Sequence, residues 1–168
     1  MAEQQSEVDE NLFLLEGLDP FYKHTLKIIN HTSRHLAILS DDLDFSLYNN
    51  PDLKSAISRL ARKDRNATIR ILVKKTKPLV ERNHLLLSIA RKLPSKIRIR
   101  KLTLEPEDND RSYLIGDRQL LLYKHDDKEY SGFANYRAGP EITNIIEDFN
   151  YLWQQHSVED TELRVLSL

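Results

Sequence analysis

The 168-residue chain predicts an α/β domain, a mixed sheet with parallel strands plus a closing hairpin, flanked by helices. Three observations predict it. Short apolar, β-branched runs alternate with amphipathic segments of helix length up to residue 104. A Gly-Asp turn then joins two further apolar runs. The composition is 40% hydrophobic and 30% charged, enough to bury a core and wet a surface, which excludes a collagen-like or wholly disordered chain.

Each element follows from its own signals. Residues 19–33 place Tyr22, Leu26 and Ile29 at helical spacing behind an Asp19-Pro20 start. HLAILS (35–40) reads as a buried strand and DDLDFSLYNN (41–50) as an acidic loop. Asn50-Pro51-Asp52 opens a helix carrying Leu53, Ala56, Ile57 and Leu60. ATIRILV (67–73) is a strand. Thr76 and Pro78 open one long helix that Pro94 stops. KIRIRKLTL (96–104) alternates as a strand does. An acidic loop (105–110) precedes a hairpin over 112–124 that turns at Gly116-Asp117, then a short strand over 128–136. Gly139-Pro140 leads into a last helix with Ile142, Ile145, Ile146, Phe149 and Trp153. Residues 1–18 read as a mobile acidic leader and 157–168 as an acidic, loose tail, around a single domain over 19–156.

The absence of cysteine excludes a disulfide framework and thiolate metal sites. No apolar run reaches ~18 residues, so no transmembrane segment is expected. The opening MAEQQSEVDE is unlike a secretory signal, and the expected location is cytoplasmic.

The net charge of −1 hides an asymmetry. Residues 51–101 hold sixteen Lys and Arg against three acids, a net of +13, while the rest carries −14. Such a segment attracts a polyanion. Lys74, Lys75 and Lys77 fall where a strand ends and a helix begins, where backbone N–H groups would add to the pull on phosphate. Arg98 and Arg100 share one strand face, and Arg62 and Lys63 end a helix. These seven residues are the expected polyanion-binding set. The plainer alternative is a solvated basic surface balanced by the acidic ends.

Other constellations carry less. His24, His31 and His35 lack a carboxylate at ligand spacing and read as helix-surface and cap positions. Asp41, Asp42 and Asp44 read as a turn and capping cluster, with a hard cation as the alternative. Neither G-x-x-x-x-G-K-[ST], G-x-G-x-x-G nor G-x-S-x-G occurs. No metal and no cofactor is expected.

Over about residues 19–156 the order of elements resembles one lobe of the phospholipase D superfamily, of the kind met in bacterial domains of unknown function. ATIRILV and KIRIRKL are similar to two of its strands, and EDFNYLW to the aromatic end of its last helix. The resemblance implies a phospholipase-D-like α/β fold and a catalytic H-x-K-x4-D motif. With the motif's Asp placed on Asp117, its His position holds Asp110 and its Lys position Ser112. Gly132-Phe133-Ala134-Asn135 loosely resembles the family's Gly-Ser-x-Asn and would put Asn135 in that element. Phosphodiester cleavage of this type needs an imidazole to attack phosphorus and a cation to hold the phosphoryl oxygens. Asp110 and Ser112 supply neither, so the expected protein is not an enzyme. His125-Asp126-Asp127-Lys128 has the wrong spacing for the motif.

The leading expectation is a non-catalytic module engaging nucleic acid, RNA or DNA. The alternatives are an adaptor docking on an anionic protein, a binder of anionic lipid surfaces, and a phosphodiesterase rebuilt around Asp110, Asp117 and Asn135. Single-lobe members of the resembled family imply a homodimer about a two-fold axis.

Overall fold

A computed structural model describes residues 10–106 and 109–164. Three parallel strands form the sheet's centre: β2 (His35–Ser40), β3 (Thr68–Val73) and β4 (Ile97–Leu102). β5 (Ser112–Gly116), β6 (Leu120–Lys124) and β7 (Ser131–Asn135) extend it antiparallel from β2. β1 (Leu12–Glu16) closes one edge on β7, and β8 (Ser157–Val158) closes the other on β4. The eight-strand order is β1-β7-β6-β5-β2-β3-β4-β8. The fold class is thus the mixed α/β sheet that the alternating pattern predicts.

Helices cover both faces. α1 (Leu18–His31) leads into β2, α2 (Phe45–Tyr48) and α3 (Pro51–Lys63) join β2 to β3, and α4 (Lys77–Glu81) and α5 (Leu85–Lys92) join β3 to β4. Leu36, Ile38, Ile69 and Ile71 pack in the layer of α1, α3 and α5. Their neighbours Ala37, Leu39 and Leu72 face α6 (Pro140–Gln155), which buries Ile142, Ile145, Ile146, Phe149 and Leu152. A strand buried on both faces needs no polar alternation, which is why residues 36–39 are continuously apolar. Among the described residues no helix is long and apolar enough to cross a membrane.

Local chemistry sets the boundaries. Asn50 caps α3 by accepting from the Asp52 N–H at 2.8 Å, with Pro51 at the first helical position. Asp117 and Arg118 both have positive φ, 52° and 63°, and the Gln119 N–H donates to the Gly116 carbonyl at 3.0 Å. That pairing is the mark of a type I′ hairpin turn. Gly132 permits the close approach of β7 to β6: a Cβ there would stand 1.8 Å from the Tyr123 carbonyl oxygen.

Four expectations are corrected or extended. The segment after Thr76 is two helices, not one. Asn83 turns left-handed at φ 51°, and the buried His84 ring accepts from the Leu86 N–H at 3.1 Å to start α5. The acidic loop contains α2, capped by Asp44 on the Ser46 N–H at 3.1 Å. Part of the leader is β1, because Leu15 reaches the core while its backbone pairs with Gly132. Part of the tail is ordered against the sheet, with β8 on β4 and Leu163 buried. Residues 1–9 of the leader and 165–168 of the tail lie outside the described residues.

Candidate functional site

The two ends of the central strands differ in charge. At the carboxyl end Asp41, Asp42 and Asp127 bring carboxylate oxygens within 4.8 Å of one another, a geometry that oxygen-seeking divalent cations accept. Burial pushes the Asp42 carboxyl above the ordinary range, and Asp41, Asp127 and Asp44 push the same way. Lys124 is buried here, donates to the Asp127 carbonyl at 2.6 Å and lies 4.0 Å from Asp44. The Tyr130 hydroxyl donates to Asp44.

Lys74, Lys75 and Lys77 stand at this acidic end. Lys75 pairs with Asp41 at 3.3 Å and Lys77 with Glu81 at 3.6 Å. The N–H groups of Lys74 and Lys75 both donate to the Asp41 carbonyl at 2.9 Å, and Thr76 Oγ1 donates to Asp160. The backbone donors of Lys74 and Lys75 are therefore already engaged.

The opposite end is basic. Register places Ile115, Ala37, Arg70 and Arg98 in one row across β5, β2, β3 and β4. That row floors a cavity of about 500 Å³. Ile146, Phe149, Asn150 and Trp153 of α6 wall it, and His35, Thr68, Ser95, Lys96 and Arg118 lie around it. Among the described residues no carboxylate lines it. Arg70 is half-buried, with its guanidinium 4.9 Å from the Phe149 ring centroid and 5.6 Å from that of Trp153. It donates to Asn150 Oδ1 at 2.8 Å and has no ion pair among the described residues. Burial lowers its pKa from the ordinary guanidinium value. Phe149 and Trp153 stack, with centroids 6.0 Å apart. Arg98 and Arg118 are exposed at the mouth. Lys96 Nζ donates to the Asp64 and Arg65 carbonyls.

The remaining basic candidates have separate places. Arg100 lies 5.4 Å from the Trp153 ring centroid and bonds Ser157 Oγ and the Ser157 carbonyl, both at 2.7 Å. It fastens β8 to β4. Arg62 and Lys63 are exposed at the end of α3, in the last turn, where cations suit the helix dipole.

The residues that the resemblance sets at the motif positions divide between the two ends. Asp110 and Ser112 lie at the acidic end, where Ser112 pairs in register with Lys124. Asp117 lies at the basic end and accepts from the N–H groups of Ser33, Arg34 and His35. Asn135 is buried, donates to Glu141 at 3.3 Å and accepts from the Arg137 N–H at 2.9 Å. The three histidines are also apart: His24 bonds the Tyr136 hydroxyl, His31 the Lys27 carbonyl and His35 the Thr68 hydroxyl. Sequence reasoning missed Arg70, Asn150, Lys96 and Arg118. The available signal was a charge inside ATIRILV, a strand otherwise fit for burial on both faces.

The family described as Domain of unknown function (DUF7931) matches residues 17–166. No curated protein matches the chain in sequence. The fold is similar to that of TrmBL2, an archaeal chromatin protein whose structure is described as showing a novel mode of DNA binding. The identity is 17% and the TM-score 0.61, over 92% of this chain and 57% of TrmBL2, so the chain spans little more than half of that protein. It is also similar to NucT from Helicobacter pylori, a phospholipase-D-like fold, at 12% identity and TM-score 0.60, over 86% of this chain and 95% of NucT.

Proposed function

The chain belongs to the DUF7931 family, and from that premise we propose that it is a non-catalytic nucleic-acid-binding protein whose basic end engages phosphate. The observation that carries this reading is the row holding Arg70 and Arg98, joined at the mouth by Arg118 and Lys96, with no carboxylate in the lining among the described residues. Lys and Arg that neutralise phosphates release counterions, so such a surface binds without reading sequence. The DNA binding described for TrmBL2 supports the same reading.

The absence of catalysis belongs to this proposal. What supports it is the acidic end, where Asp110 and Ser112 stand at the motif positions and Lys124 is held by the Asp127 carbonyl. A homodimer is part of it too. Leu12, Phe13 and Leu14 are exposed on β1, and among the described residues nothing pairs with that strand's outer edge.

The test is a fluorescence-anisotropy titration with mixed-sequence RNA and DNA at about 50 mM salt, where the electrostatic contribution is large. Binding that weakens steeply with salt is the expected result. No binding to either polymer ends the reading.

A further inference from the structure

The cavity between the sheet and α6 has a chemistry that a purely electrostatic surface does not need. Its floor and wall hold a half-buried guanidinium beside two stacked aromatic rings. Arg70 has five N–H donors, and among the described residues the acceptor bonded to them is Asn150 Oδ1. A desolvated cation lacking a carboxylate partner is costly unless a ligand supplies acceptors. A hydrocarbon chain in this cavity would seal Arg70 from water and offer it nothing. A planar heterocycle bearing ring nitrogens and carbonyl oxygens would satisfy it and pack on the partly exposed Trp153 indole. The Asn150 amide, with its oxygen committed to Arg70, keeps its NH₂ group as a donor toward such a ring.

The mouth adds the second half of the ligand. Arg98 and Arg118 are exposed there with no ion pair among the described residues. They would meet an anionic group attached to the planar one. The volume, about 500 Å³, is within the range of roughly 300–1,000 Å³ that encloses small organic ligands.

We propose that this cavity is a nucleotide pocket, taking one nucleobase against Arg70 and the partly exposed Trp153 and its phosphate at Arg98 and Arg118. The proposal rests on the nucleic-acid reading above and deepens it: the basic end captures a single unpaired base as well as the backbone. The nucleotide can come from solution or from the unpaired end of a strand.

Trp153 is the sole tryptophan of the chain and lines the cavity, so it reports on occupancy directly. The experiment titrates the full-length protein with adenosine 5′-monophosphate, inorganic phosphate, a single-stranded DNA 10-mer and a blunt DNA duplex. Tryptophan fluorescence and, for the labelled polymers, anisotropy are read together. Saturable quenching by the mononucleotide and the single strand, but not by phosphate or the blunt duplex, is the expected result. Quenching by the single strand alone assigns the pocket to strand ends, and quenching by the mononucleotide alone assigns it to free nucleotides. Ala37→Leu fills the floor without changing charge and should abolish quenching by the mononucleotide while leaving the far-UV circular dichroism of the folded protein unchanged. Arg98→Glu should weaken both signals at least tenfold. Anisotropy changes without any quenching would overturn the pocket and leave the electrostatic reading standing. Loss of both signals in the unmodified protein would overturn both.

Discussion

Asp117 and His35 hold each other reciprocally: the Asp117 N–H donates to the His35 carbonyl at 2.8 Å, and the His35 N–H donates to Asp117 Oδ1 at 3.0 Å. The same carboxylate accepts from Ser33 and Arg34. Asp117 thus ties the β5–β6 turn to the start of β2. Burial alone would raise its pKa, but the three backbone donors outweigh burial and hold the carboxyl below its ordinary value.

A depressed carboxyl pKa contributes stability that is complete above the unfolded value, about 3.9, and is lost as pH falls through the folded one. Asp117→Asn should therefore cost about 1–2 kcal/mol at neutral pH, the low end for bonds to a charge because the group is partly exposed. It should also flatten the acid limb of the stability curve below about pH 4. Urea titrations from pH 2.5 to 7 check both, and an unchanged acid limb would show that the clamp is not charge-assisted.

His84 predicts a second pH dependence. Burial lowers its pKa to about 4, against the opposing bond from Nε2 to the Leu43 carbonyl at 2.9 Å. The folded protein keeps the ring neutral while the unfolded chain protonates near 6.5. Stability should be full above about pH 6.5 and fall toward pH 4, by roughly 3 kcal/mol in total. His84→Gln should be less stable at pH 7 and should lose this slope, measured by denaturant midpoint against pH.

The strands were legible because β-branched residues and apolar runs report burial locally. The break at His84 was not, because the ring that caps α5 also bonds Leu43, forty-one residues earlier in the chain. Arg98 and Arg100 share a strand face in the sequence and in the fold, yet their fates differ. Arg100 meets Ser157, which the sequence places fifty-seven residues away, and Arg98 opens to solvent. The cavity was invisible for the same reason: Arg70 and Asn150 are eighty residues apart. Lys75 looked free in sequence because its acidic partner Asp41 belongs to another strand end.

Catalytic silence has its own measurement. Bis(4-nitrophenyl) phosphate should be hydrolysed no faster than in buffer, with or without added magnesium or manganese. Turnover that disappears in Asp110→Ala or Ser112→Ala would mean that the acidic end carries a rebuilt active site.

The two ends of the sheet should separate by mutation. Each phosphate contact adds about −0.9 to the log–log salt slope on duplex DNA. About four contacts, from residues such as Arg98, Arg118, Arg62 and Lys63, would lower affinity by about 10²-fold between 50 and 200 mM salt. Arg98→Glu should weaken binding to all sequences about equally, since phosphate contacts carry no sequence information, and should make the slope shallower by at least about one contact. Lys75→Glu should do much less. Lys75 is already neutralised by Asp41 at 3.3 Å, and the carboxylates around it repel a phosphate before any lysine can hold it. Equal losses in the two variants, measured by anisotropy at matched salt, would place the polyanion across the whole 51–101 segment instead of at the basic end.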